Sequence, residues 1–142
     1  MKPLRAAAAA LSAALIAGGI VAGTTGAASA ATNSDPNDPI TSGCSAGAYV
    51  VLQGTAFGGT ANLWWSPSCQ KNWLQYDVPD SQHQYGLILW GSNGDQAGLQ
   101  TTVPGWAWTD MVPSPGAATM CINRYDLNGR NQQDGGCWTQ GS

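Results

Sequence analysis

Beyond Gly43 the chain shows no sustained apolar period of about 3.6 residues, the mark of an amphipathic helix. Short runs rich in β-branched and aromatic residues alternate instead with Gly, Pro, Asn and Ser. The runs are Ala48 to Gln53, Ala61 to Trp65, Asn72 to Val78, Tyr85 to Trp90, Leu99 to Val103, Ala107 to Val112 and Ala118 to Asn123. The clearest is Asn72 to Val78, where Leu74, Tyr76 and Val78 share one face and Trp73, Gln75 and Asp77 the other, as in a half-buried strand. Gly58-Gly59 and Asn93-Gly94 are hairpin-turn candidates because these residues tolerate positive φ. Many short strands with close turn signals predict an all-β domain, a small sandwich or barrel of about seven strands.

The N-terminus follows a different pattern. Lys2 and Arg5 precede an uncharged stretch from Ala6 to Ala22, and Ala28-Ser29-Ala30 is a small-x-small cleavage site. Residues 1–30 are therefore expected to be a cleaved secretory signal peptide, making the protein secreted and extracellular. A membrane-spanning helix of about 20 apolar residues is the competing reading, but Gly18, Gly19, Gly23 and Gly26 weaken the end of the run. Residues 31–42 carry Pro36, Pro39, Asp35 and Asp38, with Ile40 as the one large apolar side chain, and read as a flexible tail. Residues 43–142 are expected to form a single β-rich domain, disulfide-stapled and monomeric.

Composition narrows the partners. The whole chain has a formal net charge of −3, and all its acidic residues are Asp. Losing Lys2 and Arg5 with the signal peptide makes the remainder more acidic. Phosphate backbones demand clustered Lys and Arg, so nucleic acid is excluded as a partner, and stable membrane association after cleavage is not expected. The four cysteines imply two disulfides with three possible connectivities. Cys44–Cys69 with Cys121–Cys137 is favoured, because each pair brackets short segments that could be neighbours. His83 is the lone histidine and there is no C-x-x-C, so zinc would need all four thiolates. No metal and no cofactor are expected.

Gly43-Cys44-Ser45-Ala46-Gly47-Ala48-Tyr49, Trp65-Ser66-Pro67-Ser68-Cys69-Gln70-Lys71-Asn72-Trp73, Thr109-Asp110-Met111-Val112, Cys121 and Gly136-Cys137 form a distinctive series. With these residues the chain resembles the YjfA-like family of small secreted actinobacterial and bacillar domains of unknown function, from Gly43 to about Trp138. Members often carry a basic residue before the core aromatic and another after the core Trp; this chain has Trp64-Trp65 and Leu74-Gln75 there. The resemblance implies secretion and a β-rich disulfide fold, and no activity. Related domains fused to helix-turn-helix regulators hint at binding or sensing.

The strongest functional signal is aromatic. Trp64, Trp65, Trp73, Trp90, Trp106, Trp108 and Trp138 crowd one small domain. The plain reading of any single Trp is core packing, but burying all seven is difficult. Adjacent strand residues face opposite ways, so Trp64 and Trp65 cannot share a face while Trp106 and Trp108 do. Trp64, Trp73, Trp106 and Trp108 are the candidate binding residues, suited to stacking on sugar rings or anchoring a protein.

Other constellations are weaker. His83 lies in the polar stretch Asp80-Ser81-Gln82-His83-Gln84 without a nucleophile motif, and reads as a solvated loop residue. No spacing among the aspartates singles out a pair for glycoside hydrolysis; Asp110 is the most embedded in apolar sequence and reads as a structural carboxylate. Asp126 to Asp134 looks like a calcium loop, but its Gly129 is misplaced and it lacks the closing Glu. The expectation is a secreted, non-enzymatic binding domain for an extracellular carbohydrate or protein. The alternatives are an inhibitor of extracellular hydrolases, using loops at Gly105, Pro113 to Gly116 and Asp126 to Gly136, and a small aspartate-based hydrolase.

Overall fold

Period-two patterning becomes strands throughout. The computed structural model describes residues 27–29 and 35–141, which form ten strands and no helix. These are β1 (Ala27–Ser29), β2 (Tyr49–Ala56), β3 (Gly59–Ser66), β4 (Lys71–Val78), β5 (Gln84–Gly91), β6 (Gln96–Thr101), β7 (Gly105–Trp108), β8 (Val112–Pro113), β9 (Ala118–Tyr125) and β10 (Gln133–Gln140). The larger sheet runs β1-β7-β4-β3-β2, with β8 beside the start of β4; the smaller runs β10-β9-β5-β6. Every pairing is antiparallel except β1 on the outer edge of β7.

The two sheets pack face to face. Ala61, Leu63, Leu74, Tyr76, Val78 and Ala107 point inward from the larger sheet and meet Tyr85, Leu87, Leu89, Met120 and Ile122 from the smaller. The Tyr76 hydroxyl keeps a partner in this core by donating to the Ala56 carbonyl at 2.6 Å. Along one side Trp138 of β10 lies on Gly54 of β2, where any Cβ would run into the indole.

Both expected hairpins form. The β2–β3 turn sits one residue earlier than the glycine pair suggested, with positive φ at Phe57 (51°) and Gly58 (87°). The β5–β6 turn uses Asn93-Gly94, with Gly94 at φ 88°. Of the predicted runs, Ala107 to Val112 splits into β7 and β8. Thr109 forces the break: its N–H donates to the Leu74 carbonyl while its Oγ1 accepts from Leu74 N–H, so side chain and backbone together end the ladder. Strand β10 was not expected. Its Gln-Asp-Gly-Gly start lacks apolar alternation, and a bulge between Asp134 and Gly136 shifts its register.

The expected tail needs correction where it is described. From Asp35 to Ala48 the chain makes a series of turns laid against the larger sheet. Asp38 is buried there, and Met111 N–H donates to the Asn37 carbonyl. Polar capping and the Cys44–Cys69 bridge, rather than apolar content, order this cover. The folded unit thus begins by Asp35 rather than Gly43. The signal-peptide reading of residues 1–30, apart from β1, and the tail reading of 31–34 lie outside the described residues. The bridges are Cys44–Cys69 and Cys121–Cys137, the favoured connectivity. They indicate an oxidising environment.

Candidate functional site

Strand register brings all four candidate tryptophans to one face, the outer face of the larger sheet. Trp64 stands directly opposite Trp73, Gln75 opposite Trp108, and Asp77 opposite Trp106. Since 73, 75 and 77 alternate along β4, these side chains share a surface. The Trp64 and Trp73 rings stack with centroids 5.8 Å apart and planes 2° from parallel. Trp64 Nε1–H donates to Gln75 Oε1 at 2.9 Å, which fixes the indole in its plane. Beside the stack runs a row of amides across three strands, Gln53, Asn62 and Gln75, with Gln53 Nε2 donating to Asn62 Oδ1 at 2.9 Å.

The cover divides this face. Trp73 and Trp108 are buried beneath it with Cys44 and Met111. Trp108 Nε1–H points at Asp38 Oδ2, 3.4 Å away. Trp64 and Trp106 stay partly exposed, so the open part of the face is Trp64, Trp106, Gln53 and Gln75, with Asn62 buried between the two glutamines. Two of the four candidates are therefore partly open to solvent, and two lie under the cover, where Trp73 stacks on Trp64. Among the other tryptophans, Trp65 shares the inward face with Leu63 and Ala61 but lies at its end. Trp90 is exposed on the smaller sheet, and Trp138 closes the sandwich side.

The carboxylates near the cover are structural in geometry. Asp38 Oδ1 accepts from the N–H groups of Ile40 and Thr41 at 2.7 and 2.8 Å. Burial first, then the charges of Asp35 and Asp38 and a hydrogen bond to Asp35, hold the Asp110 carboxyl above its usual value.

His83 is less isolated than its sequence suggests. Its Nδ1 lies 3.0 Å from Asp80 Oδ1, its ring meets the Tyr85 ring edge-on, and Tyr85 OH donates to Asp80 Oδ2 at 2.9 Å. Burial alone would raise the Asp80 carboxyl, but hydrogen bonds from His83, Tyr85 and Gln82 N–H outweigh it and hold it below the usual value. Tyr85 is pushed up to about 12 by burial and by Asp80, so its hydroxyl keeps its proton and donates it to Asp80. The spacing Asp80-x-x-His83-x-Tyr85 was the available signal for this cluster. The calcium-like loop is spoken for by itself: the Asp126 oxygens accept from Asn128 N–H, Arg130 N–H and Asn131 Nδ2.

No family model, curated protein or solved structure matches the chain, so the resemblance to the YjfA-like family rests on its motif residues alone.

Proposed function

We propose that the chain is exported, cleaved after Ala30, and acts outside the cell as a monomeric, non-enzymatic module that binds an uncharged carbohydrate on the outer face of its larger sheet. The observation that carries this reading is the immobilised Trp64 indole, stacked on Trp73 and tied to Gln75, next to the Gln53–Asn62–Gln75 row. A sugar ring offers C–H groups to an aromatic face and hydroxyls to paired amides. A platform fixed before binding loses little entropy when the ligand arrives. The register sets two charges of opposite sign on this face, Asp77 opposite Trp106 and Lys71 two residues before Trp73, so their charges balance, which suits a neutral ligand. Cleavage would also remove β1 and leave the outer edge of β7 free. The motif resemblance agrees with export and a disulfide fold and adds no activity.

The inhibitor reading is less well supported. It needs projecting loops; Gly105 belongs to β7 and Gln133 to Gly136 to β10, which leaves Ser114 to Gly116 and Asp126 to Gln132 as loops.

Retention of the protein on insoluble cellulose, chitin and peptidoglycan tests the proposal. At least one should retain it, and Trp64→Ala should weaken retention by about 2 kcal/mol, roughly thirtyfold. If none retains it, and tryptophan fluorescence ignores soluble glycans, the carbohydrate reading is wrong.

A further inference from the structure

A second aromatic site lies away from the outer face, at one end of the sandwich. There the last inward-facing row of the larger sheet runs Tyr49, Trp65, Asn72 and Val112 across four strands. Facing it are the loop after β8, with Ser114, Pro115 and Gly116, and the end of β10 at Gln140. Between them is an open pocket of about 300 Å³. Tyr49 is 52% exposed on the edge strand, and Trp65 is partly exposed beside it.

Two properties of this mouth narrow what could fill it. No charged side chain lines it among the described residues, so an ionic ligand finds no partner. Its size is at the lower limit of small-molecule sites, which suits one ring rather than a chain lying through it. Asn72, directly opposite Trp65 in the same row, is 1% exposed; its Nδ2 donates to the Trp64 carbonyl at 2.9 Å, and its buried Oδ1 has no partner among the described residues. Buried acceptors are nearly always paired. This one is sealed behind the pocket, whose lining does not include it, and offers a ligand there no contact.

We infer that the mouth pocket is a second carbohydrate site, which takes a single terminal pyranose between Tyr49 and Trp65. The inference rests on the carbohydrate reading of the protein but assigns a different site and a different part of the glycan. The outer face would hold the length of a chain, and the mouth its end.

Amide and indole NMR of protein expressed from the full chain, titrated separately with glucose, galactose and N-acetylglucosamine, distinguishes the two sites. At least one sugar should shift the Trp65 indole N–H and the amides of Gly116 and Gln140. Tyr49→Ala, an exposed edge substitution that leaves the core intact, should weaken that binding about tenfold. Trp64→Ala should leave it unchanged. Shifts confined to Trp64 and Trp106 would overturn the mouth site and keep the outer face. Retention on polysaccharide with no monosaccharide shift anywhere would do the same. Absence of both would overturn both readings. Saturation of the mouth by a proline-rich or aromatic peptide, with no response to any sugar, would reassign it to a protein partner.

Discussion

Asp38→Ala should detach the cover from the larger sheet. The carboxylate is 1% exposed and serves three donors: Ile40 N–H at 2.7 Å, Thr41 N–H at 2.8 Å and Trp108 Nε1–H at 3.4 Å. The first two are short, charge-assisted bonds that cap a turn, each contributing about 1 kcal/mol net. The third is long, but its loss strands a buried indole N–H, at a cost of about 1 kcal/mol. The sum is about 3 kcal/mol, or roughly 12 °C in Tm for a domain of this size. Relief of repulsion with Asp110 offsets a little of this. The Cys44–Cys69 bridge keeps the loosened segment tethered, so Trp73 and Trp108 should become accessible without global unfolding. Thermal melts together with acrylamide quenching of tryptophan fluorescence read both effects. Asp38→Asn keeps an acceptor for the two backbone donors but turns an amide N–H toward Trp108, and should fall between wild type and Asp38→Ala. A Tm drop below about 3 °C, with quenching unchanged, would refute the claim that Asp38 anchors the cover.

Reduction of the bridges should have separable effects. In the chain-entropy model, closing the 25-residue Cys44–Cys69 separation stabilises by about 3.5 kcal/mol and the 16-residue Cys121–Cys137 separation by about 3.1 kcal/mol. Only Cys44→Ser/Cys69→Ser should raise acrylamide quenching of Trp73 and Trp108, whereas Cys121→Ser/Cys137→Ser should lower Tm alone. Gly54→Ala should destabilise by about 1 to 3 kcal/mol, because its methyl group meets the Trp138 indole; a urea midpoint equal to wild type would contradict that packing. Two carboxyls should act oppositely on the pH profile of stability. Asp110 is raised when folded, so its contribution is full below the unfolded carboxyl value and lost as pH rises through the folded one; Asp110→Asn should raise the urea midpoint at neutral pH. Asp80 is lowered when folded, so its contribution is present above the unfolded value and lost as pH falls through the folded one; Asp80→Asn should lower the neutral midpoint and flatten the acid decline.

Strands with apolar alternation were legible in the sequence because one face of each is core. Leu74, Tyr76 and Val78 announced β4 in this way, and Gly58 and Asn93-Gly94 announced their turns. Strand β10 was hidden because it lies at a sheet edge. Its inward contacts come from Trp138 and from bare glycine backbone, and neither produces a period. The cover was hidden for a different reason. Its order comes from one carboxylate meeting donors as far away in sequence as Trp108, and no local pattern encodes a partner 70 residues on. The proposed binding face was half legible. Alternation put Trp106 and Trp108 on one side, but which tryptophans stay open depends on the cover, and so on the same long-range contact. The mouth pocket needed three separate segments to converge, and nothing in the spacing of Tyr49, Trp65 and Ser114 foretells that.

Both bridges lie within a layer. Cys121 and Cys137 are cross-strand neighbours in the smaller sheet, and Cys44–Cys69 ties the cover to the β3–β4 turn of the larger one. The chain itself passes between the layers three times, after β4, β6 and β8. Under mechanical load, as on a module fixed to a solid polymer in flowing medium, the sulfur links would therefore stiffen each sheet against shear but would not stop the sheets from being prised apart. That resistance comes from side-chain packing and three peptide tethers. The yield point of the domain under tension is accordingly a property of its oily interior, and should be nearly the same in oxidised and reduced protein.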